Sequence, residues 1–453
     1  MQAEIDRKAL SESLFFLSGV LSNNPEFLVL GYIDFQCEPK NQRIVLRTTN
    51  IETTVVSEIK TVFDPDDIDV DFLVPAKQFI NIINASSADK LLIKFSDKTM
   101  TLRYSLGQTS GKLKCIEADD FPKPLLSTNQ TIKITARQLW DMITKTVISC
   151  DITYSSRIAL TGVNMVIDND VFQMTSGDGY RLSTYRHKLD STYQYTNVIV
   201  PAKYLKPLRS MLRRFEDDHI VRIRMLSGQN SKLIFEFGDT FYVTQVLSET
   251  FPDVSGIFGI SFNLVVAVSA SALGEAIAMH SSYSSQNYGA TFFKSNDKDQ
   301  YCMVSSTQDS GAVGTVITDL NGLILPDICF NVQFLSEYVK VCGSDQIFIY
   351  LNNESSPLYL RSTSDIELDP KNEGLGFSYF IMPIGESTPV QEHEYDYSGV
   401  DIPLLTSAPV ELVQTGAESE LVYETEDQTQ SYADQPKTYI EGITDIVNDD
   451  YPF

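Results

Sequence analysis

Lys203, Lys206, Arg209, Arg213 and Arg214 fall within twelve consecutive positions. At helical spacing they share one arc, and Leu205, Leu208, Met211, Leu212 and Phe215 form the opposing apolar stripe. Ammonium and guanidinium groups gathered this way can pair with the phosphates of a polyanion, an electrostatic contact that reads no bases. A solvated helix face would have the same composition. Pro207 interrupts the stretch and is expected to kink a helix that begins at Ala202, or to delay its start. Other reactive side chains lack a catalytic arrangement. Cys37, Cys115, Cys150, Cys302, Cys329 and Cys342 include no Cys-x-x-Cys pair, and His187, His219, His280 and His393 have no ligand spacing. They read as buried thiols in a reducing compartment and isolated imidazoles rather than a metal or disulfide framework. Asp178-Gly179 and Asp217-Asp218 look like turn chemistry. With no Gly-Lys-Ser/Thr loop and no nucleophile–base spacing, the expectation is no catalytic residue, no metal and no cofactor.

The element that positions the basic arc occurs twice. Phe72-Leu-Val-Pro-Ala-Lys77 returns as Val198-Ile-Val-Pro-Ala-Lys203, with Val-Pro-Ala-Lys offset by 126 residues. In both copies a β-branched or aromatic run stops at proline and a helical apolar pattern begins. Proline suits the first turn of a helix, where its missing N–H is not needed. A weaker third copy, Ile328-Cys-Phe-Asn-Val-Gln-Phe-Leu-Ser-Glu-Tyr-Val339, keeps the strand-to-helix switch without the proline.

The spacing is the size of a domain, not of a solenoid repeat. Leu10, Leu14, Leu17 and Leu21 predict an opening helix. Strands are expected at 27–36, 43–48 and 52–62, and beyond the first junction at 91–95 and 99–105. The same plan recurs with a helix over 136–149, carrying Leu139, Met142, Ile143 and Val147 inward, and again with a helix near 270–282. Phe121-Pro122 and Phe251-Pro252 close the first two copies 130 residues apart, and Tyr379-Phe-Ile-Met-Pro383 closes the third. The expected domains are 1–127, 128–258 and 259–386, each with two helices and about eight short strands. Few crossover helices imply antiparallel sheets with helices on one face, an α+β fold.

The polar, acidic start Met1-Gln-Ala-Glu-Ile-Asp6 shows no signal pattern. Phe262–Met279 is the most apolar long window, but Asn263, Gly274 and Glu275 make it a strand followed by a helix rather than a membrane span of ~20 apolar residues. The net charge of −25 argues against a uniformly basic surface and leaves room for a local one. Residues 387–453 form an acidic tail, expected to be disordered; from 386 onward there are 16 Asp or Glu and one basic residue, Lys437.

Together, the three copies and Thr175-Ser-Gly-Asp-Gly-Tyr-Arg-Leu182, Val200-Pro-Ala-Lys203, Phe251-Pro-Asp253 and Tyr379-Phe-Ile-Met-Pro383 resemble the bacterial sliding clamp family, the β subunit of DNA polymerase III. The resemblance runs from about residue 3 to 386. It implies three repeated DNA-clamp domains forming a ring-shaped homodimer, with twelve helices on the inner wall and sheets outside. Such a ring encircles duplex DNA and tethers polymerase as a processivity factor in the cytoplasm. It implies no enzymatic activity and no cofactor.

If helices line the hole, their charge should be positive despite the acidic total. Arg7, Lys8, Lys77, Arg137, Lys145, Lys203, Lys206, Arg209, Arg213, Arg214 and Lys340 stand against Asp6, Glu12, Asp141, Glu275 and Glu337, a positive excess of six. All but Lys340 are the expected DNA-binding residues. Matching by motif, the resemblance places Leu160, Gly177, Gly179, Tyr180, Arg181, Leu182, Pro252, Ile257, Phe380 and Met382 around a groove for partner peptides from polymerase, clamp loader and other proteins. Tyr180 stands where the family often has histidine, and Phe380 replaces a smaller aliphatic residue, so a narrower groove is expected.

The tail tip, Asp449-Asp450-Tyr451-Pro452-Phe453, resembles the tip of single-stranded-DNA-binding proteins. A terminal aromatic, an α-carboxylate and flanking acids suit an apolar pocket with a basic rim. The alternative to a loaded clamp is a clamp-like scaffold that gathers replication proteins through groove and tail without being loaded on DNA.

Overall fold

Among the described residues, strands pass directly into helices of 9 residues or more at six places. In the computed structural model Gln2–Asp6 leads into α1 (Arg7–Ser18), Val70–Pro75 into α2 (Ala76–Asn84) and Thr131–Thr135 into α3 (Ala136–Thr146). Arg181–Pro201 leads into α4 (Ala202–Leu212). After the four-residue α5 (Ser255–Phe258), Leu264–Ser269 leads into α6 (Ala270–Ser284) and Ile328–Asn331 into α7 (Val332–Val341), and α8 (Thr363–Glu367) follows. The structure describes residues 1–385 except 22–26, 65, 125, 127–130, 152–156, 227–230, 285–289, 308–310, 370 and 372, together with Glu411–Leu412. The tail tip Asp449–Phe453 and nearly all of 387–453 lie outside the described residues.

The junctions correct the reading of the prolines. Pro75 and Pro201 are not in the first turn but are the capping residues before it, with ψ of 112° and 132°. Proline's fixed φ fits both positions, and the extended ψ leaves each as the last residue of its strand; Pro75 is still paired with Tyr32. Where the third copy lacks proline, Asn331 caps α7 by accepting from the Gln333 backbone N–H at 2.8 Å. Helix α4 begins at Ala202 and runs through Pro207, so the proline does not delay its start. The bond forfeited is the one to the Lys203 carbonyl. The run 27–36 also differs from expectation: Leu28–Gly31 is a short 3-10 turn, and the strand is Tyr32–Glu38.

The chain forms two compact units, Met1–Asp141 with Val200–Ser248, and Met142–Ile199 with Glu249–Phe453. Neither coincides with a sequence repeat, because the second repeat shares its strands. In the first unit a nine-stranded sheet has the order Thr131–Thr135, Ile220–Leu226, Lys232–Phe237, Thr240–Gln245, Thr53–Lys60, Arg43–Thr49, Tyr32–Glu38, Val70–Pro75, Ile116–Glu117. The repeats join where Tyr242 faces Val55. In the second unit a seven-stranded sheet has Arg181–Pro201 beside Gly376–Ile381, with Leu182 opposite Phe380. Each unit also has a four-stranded sheet, and the strand pairings described are antiparallel.

Stacked rings fill the first core: Phe72 lies 3.8 Å from Phe95 and 5.2 Å from Phe35, all buried. In the second unit Tyr338 stacks on Phe377 and Tyr379 at 5.6 and 5.3 Å. The six cysteines are free, and all but half-buried Cys329 are buried. Buried His280 meets the hydroxyls of Ser305 and Thr315 at 2.9 and 3.0 Å, and burial lowers its pKa to about 4. The window Phe262–Met279 resolves into a strand and α6, and no described helix is long and apolar enough to cross a membrane.

A buried carboxyl makes the first unit sensitive to pH. Asp34 is fully buried and bonds Arg47 at 2.8 Å, yet its pKa is raised to about 7, first by burial and then by the neighbouring Asp71 carboxyl. A proton held on Asp34 accounts for its one oxygen without a hydrogen-bond partner. Because the folded pKa lies above the unfolded one, the stabilising proton is present below pH ~4 and is lost as pH rises through ~7. Stability should therefore decline across that window by no more than ~1.4 kcal/mol per pH unit from this group. Asp34→Asn should flatten the decline in urea melts; an unchanged pH dependence would count against the proton on Asp34.

Candidate functional site

The turn between Gly162–Gly177 and Arg181–Pro201 is held by Asp178. One of its oxygens accepts the Tyr180 and Arg181 backbone N–H groups, both at 3.0 Å, and the other accepts Arg181 Nε at 2.9 Å. Gly179 sits at φ +92°, a conformation that side-chain-bearing residues rarely adopt. A Cβ on Gly177 would lie 3.0 Å from the Arg181 carbonyl oxygen, so the turn closes only over glycine. Arg181 bonds Glu337 of α7, and its guanidinium lies 4.4 Å from the Phe334 ring centre. Burial works against its charge, but Tyr379, Asp178 and Glu337 outweigh it and keep it protonated. Burial raises the Asp178 pKa, with Arg181 opposing.

Beside this turn the Met382 N–H bonds the Tyr180 carbonyl at 2.8 Å. Asp253 accepts the Ser255 N–H at 2.9 Å, starting α5 and presenting Ile257 inward. Leu182, Ile257, Phe262 and Phe380 form a buried cluster with Val254, Tyr359 and Met382 packed on it. Above this bed opens a pocket of about 380 Å³. It is lined by Leu160, Gly177, Gly179, Arg181, Leu182, Pro252, Ile257 and Met382, so eight of the ten sequence-derived groove residues converge. Two do not line it. Tyr180 is 49 % exposed beside it, and Phe380 lies beneath, stacked on Tyr359 at 4.6 Å and meeting Phe258 at 5.8 Å. Arg157, Phe251 and Val254 complete the lining. Phe251 was legible from its Phe-Pro pair, whereas Arg157 and Val254 stand in no motif. The walls suit apolar side chains, and the bare backbone at Gly177 and Gly179 lets a ligand approach closely.

The basic candidates fare unevenly. On α4 Lys206 is exposed and Arg209 half-exposed, and Arg213 and Arg214, in the turn just past the end of the helix, are exposed. Arg213 lies 5.1 Å from the Trp140 ring centre and Arg214 4.1 Å from that of Phe15. Helix α1 packs against α4 through Phe16, stacked on Phe215 at 5.6 Å, and through Gly19, where a Cβ would meet Met211 Cε at 2.9 Å. Lys8 and Lys77 are exposed, while Arg7 donates to the Ala88 carbonyl at 2.6 Å. Lys203 pairs with Glu52 at 3.0 Å, and Arg137 with Asp141 at 3.0 Å. Lys145 is a correction. It is 9 % exposed, pairs with buried Asp365 at 3.2 Å and lies over Tyr185 and Phe377. Its side chain points into the core of the second unit, and helical spacing alone could not reveal that Asp365 waits there. Among the described residues no cluster of His, Cys, Asp or Glu could hold a metal ion.

Residues 133–253 match the family model for the central domain of the DNA polymerase III β subunit. The β sliding clamp of Synechococcus elongatus is 23% identical over 381 residues, covering 83% of this chain and 96% of the relative. That of Staphylococcus aureus is 23% identical over 339 residues, covering 72% and 87%. The β subunit structure from Pseudomonas aeruginosa superposes with a TM-score of 0.74 at 21% identity, covering 85% of this chain and all of that one. The Streptococcus pyogenes structure gives the same TM-score and coverage at 20% identity. The fold is the α+β fold of these sliding clamps.

Proposed function

We propose that the chain is a DNA polymerase processivity factor: a clamp that encircles duplex DNA and holds polymerase to it by tethering rather than by catalysis. The observation that carries the reading is the cationic face of α4 and the turn that follows it, with Lys206, Arg209, Arg213 and Arg214 turned outward on a chain of net charge −25. Such a face touches phosphates in a sequence-independent way, as a sliding contact requires. Lys8 and Lys77 extend it; Lys145 is left out. A cytoplasmic ring of two chains is part of the reading, since three repeats per chain need a closed two-fold partner to make six domains. The outer strands of the four-stranded sheets, Thr109–Lys114 and Gly311–Asp319, have one unpaired side that a second copy could take up. Mass measurement in solution tests this, and a stable monomer would count against it.

The functional test is loading by a clamp loader onto nicked circular DNA. The expected result is protein retained on the circle and released on linearisation. Failure to load, with peptide binding intact, would favour the scaffold that gathers replication proteins off DNA.

The groove is read as the tether, accepting short apolar-aromatic peptides from polymerase, clamp loader and other partners. A Gln-Leu-x-Leu-Phe peptide should bind, and Met382→Ala should weaken it roughly tenfold, about the loss of one buried contact. Calorimetry reads both. No binding at millimolar peptide would remove the groove from the reading. At the tail, Pro452-Phe453 is proposed to recruit proteins that recognise single-stranded-DNA-binding protein tips. Deleting Phe453 should abolish that capture in pull-downs and leave loading unchanged; unchanged capture would count against it.

A further inference from the structure

The strand Leu264–Ser269 is paired along its full length on one side, with Gln346–Leu351. Its other side is the edge of the seven-stranded sheet, and there the structure places two residues of the tail. Glu411 stands opposite Val265 and Leu412 opposite Leu264, in antiparallel register. The edge reads Leu-Val-Val-Ala-Val-Ser, without charge or proline. Uncovered edges of that composition recruit other strands, and proteins normally protect them. The tail around the pair, Val410-Glu-Leu-Val413, is apolar and β-branched within an otherwise acidic segment, so it suits a strand. The 26 residues from Gly385 to Glu411 could span up to ~85 Å when extended, far more than a seven-stranded sheet is wide at ~4.8 Å per strand.

We propose that the free edge of Leu264–Ser269 is a strand-acceptor site for this chain's own acidic tail, with Glu411 and Leu412 as the docking pair. Main-chain bonds provide the attachment, as in strand addition generally. From Glu411 to Leu412 the tail runs toward the Phe262 end of the strand, and Phe262 lies 5.2 Å from Tyr359 in the groove's apolar bed. Docking therefore fixes an otherwise acidic segment beside the groove. The inference rests on strand pairing and does not depend on loading onto DNA.

Hydrogen exchange on the full chain tests it. Leu412→Pro removes an N–H and distorts the strand, and should speed exchange of at least one amide among Leu264 to Val266 roughly tenfold or more. The amides of Gln346–Leu351 should keep their protection, and a Thr429→Pro control should behave like the natural chain. A synthetic peptide of residues 406–417, added to the Leu412→Pro protein, should restore protection, and the same peptide carrying the proline should not. Unchanged exchange in Leu412→Pro, or an equal loss in the control, would overturn the proposal. Protection that rises with protein concentration would assign the strand to a second copy and overturn the intramolecular site.

Discussion

Replacing Arg209, Arg213 and Arg214 together with glutamine should reduce DNA affinity by on the order of tenfold or more and lower the salt slope of log K by about three per subunit, since each neutralised phosphate contact contributes ~0.9. Arg213 and Arg214 are exposed in the turn after α4 and Arg209 is half-exposed on it, so folding should be little affected. The packing face of the helix, Leu205, Leu208, Met211 and Leu212, is untouched and fully buried. Loss of the guanidinium contacts with Trp140 and Phe15 costs ~0.5–1 kcal/mol each at an exposed site. Loading measured from 50 to 200 mM salt reads the result. An unchanged slope would remove α4 from the DNA path, whatever happens to affinity at a single salt concentration.

Lys145→Ala should have the opposite profile. The salt slope should stay the same, and stability should fall by about 3–5 kcal/mol, the usual cost of leaving a buried charge without its partner. Asp365 is fully buried and accepts from Lys145, from the Phe377 N–H at 3.1 Å and from its own capping residue Ser362. Removing the ammonium leaves that carboxylate without its ion-pair partner, while the nearby Arg361 guanidinium donates to the Asp365 backbone carbonyl at 2.7 Å. Asp365→Asn in the Lys145→Ala background should recover part of the loss, because the amide needs no counter-charge. Denaturant melts of the two variants provide the comparison. A full-stability Lys145→Ala protein with a shallower salt slope would return Lys145 to the DNA-facing set.

The contrast between Lys145 and Arg213 shows what spacing can and cannot carry. Both follow the apolar stripe of an amphipathic helix, and both sit where a basic face was expected. Local periodicity places Cβ atoms on an arc of a helix, but it does not say what lies across from that arc. For Arg213 the neighbour is a half-buried indole; for Lys145 it is a carboxylate brought from 220 positions away in the chain. The groove divides in the same way. Gly177, Gly179 and Pro252 announce themselves because a turn or a close approach demands their backbone geometry. Arg157 and Val254 belong to it only because the sheet joining Leu182 to Phe380 draws distant segments together.

The sequence by itself determined the repeated strand-to-helix junctions, the α+β class, the acidic tail and the basic character of α4. These follow from local chemistry: proline's φ, two- and 3.6-residue periodicity, and charge counted along the chain. Only the tertiary structure decided that Pro75 and Pro201 end strands rather than begin helices, that two compact units cut across three repeats, and that Lys145 is buried. It also decided that the edge of Leu264–Ser269 meets Glu411–Leu412. Each depends on pairings between residues far apart in the chain, and a free strand edge or a buried carboxylate leaves no local mark on the segment that will meet it.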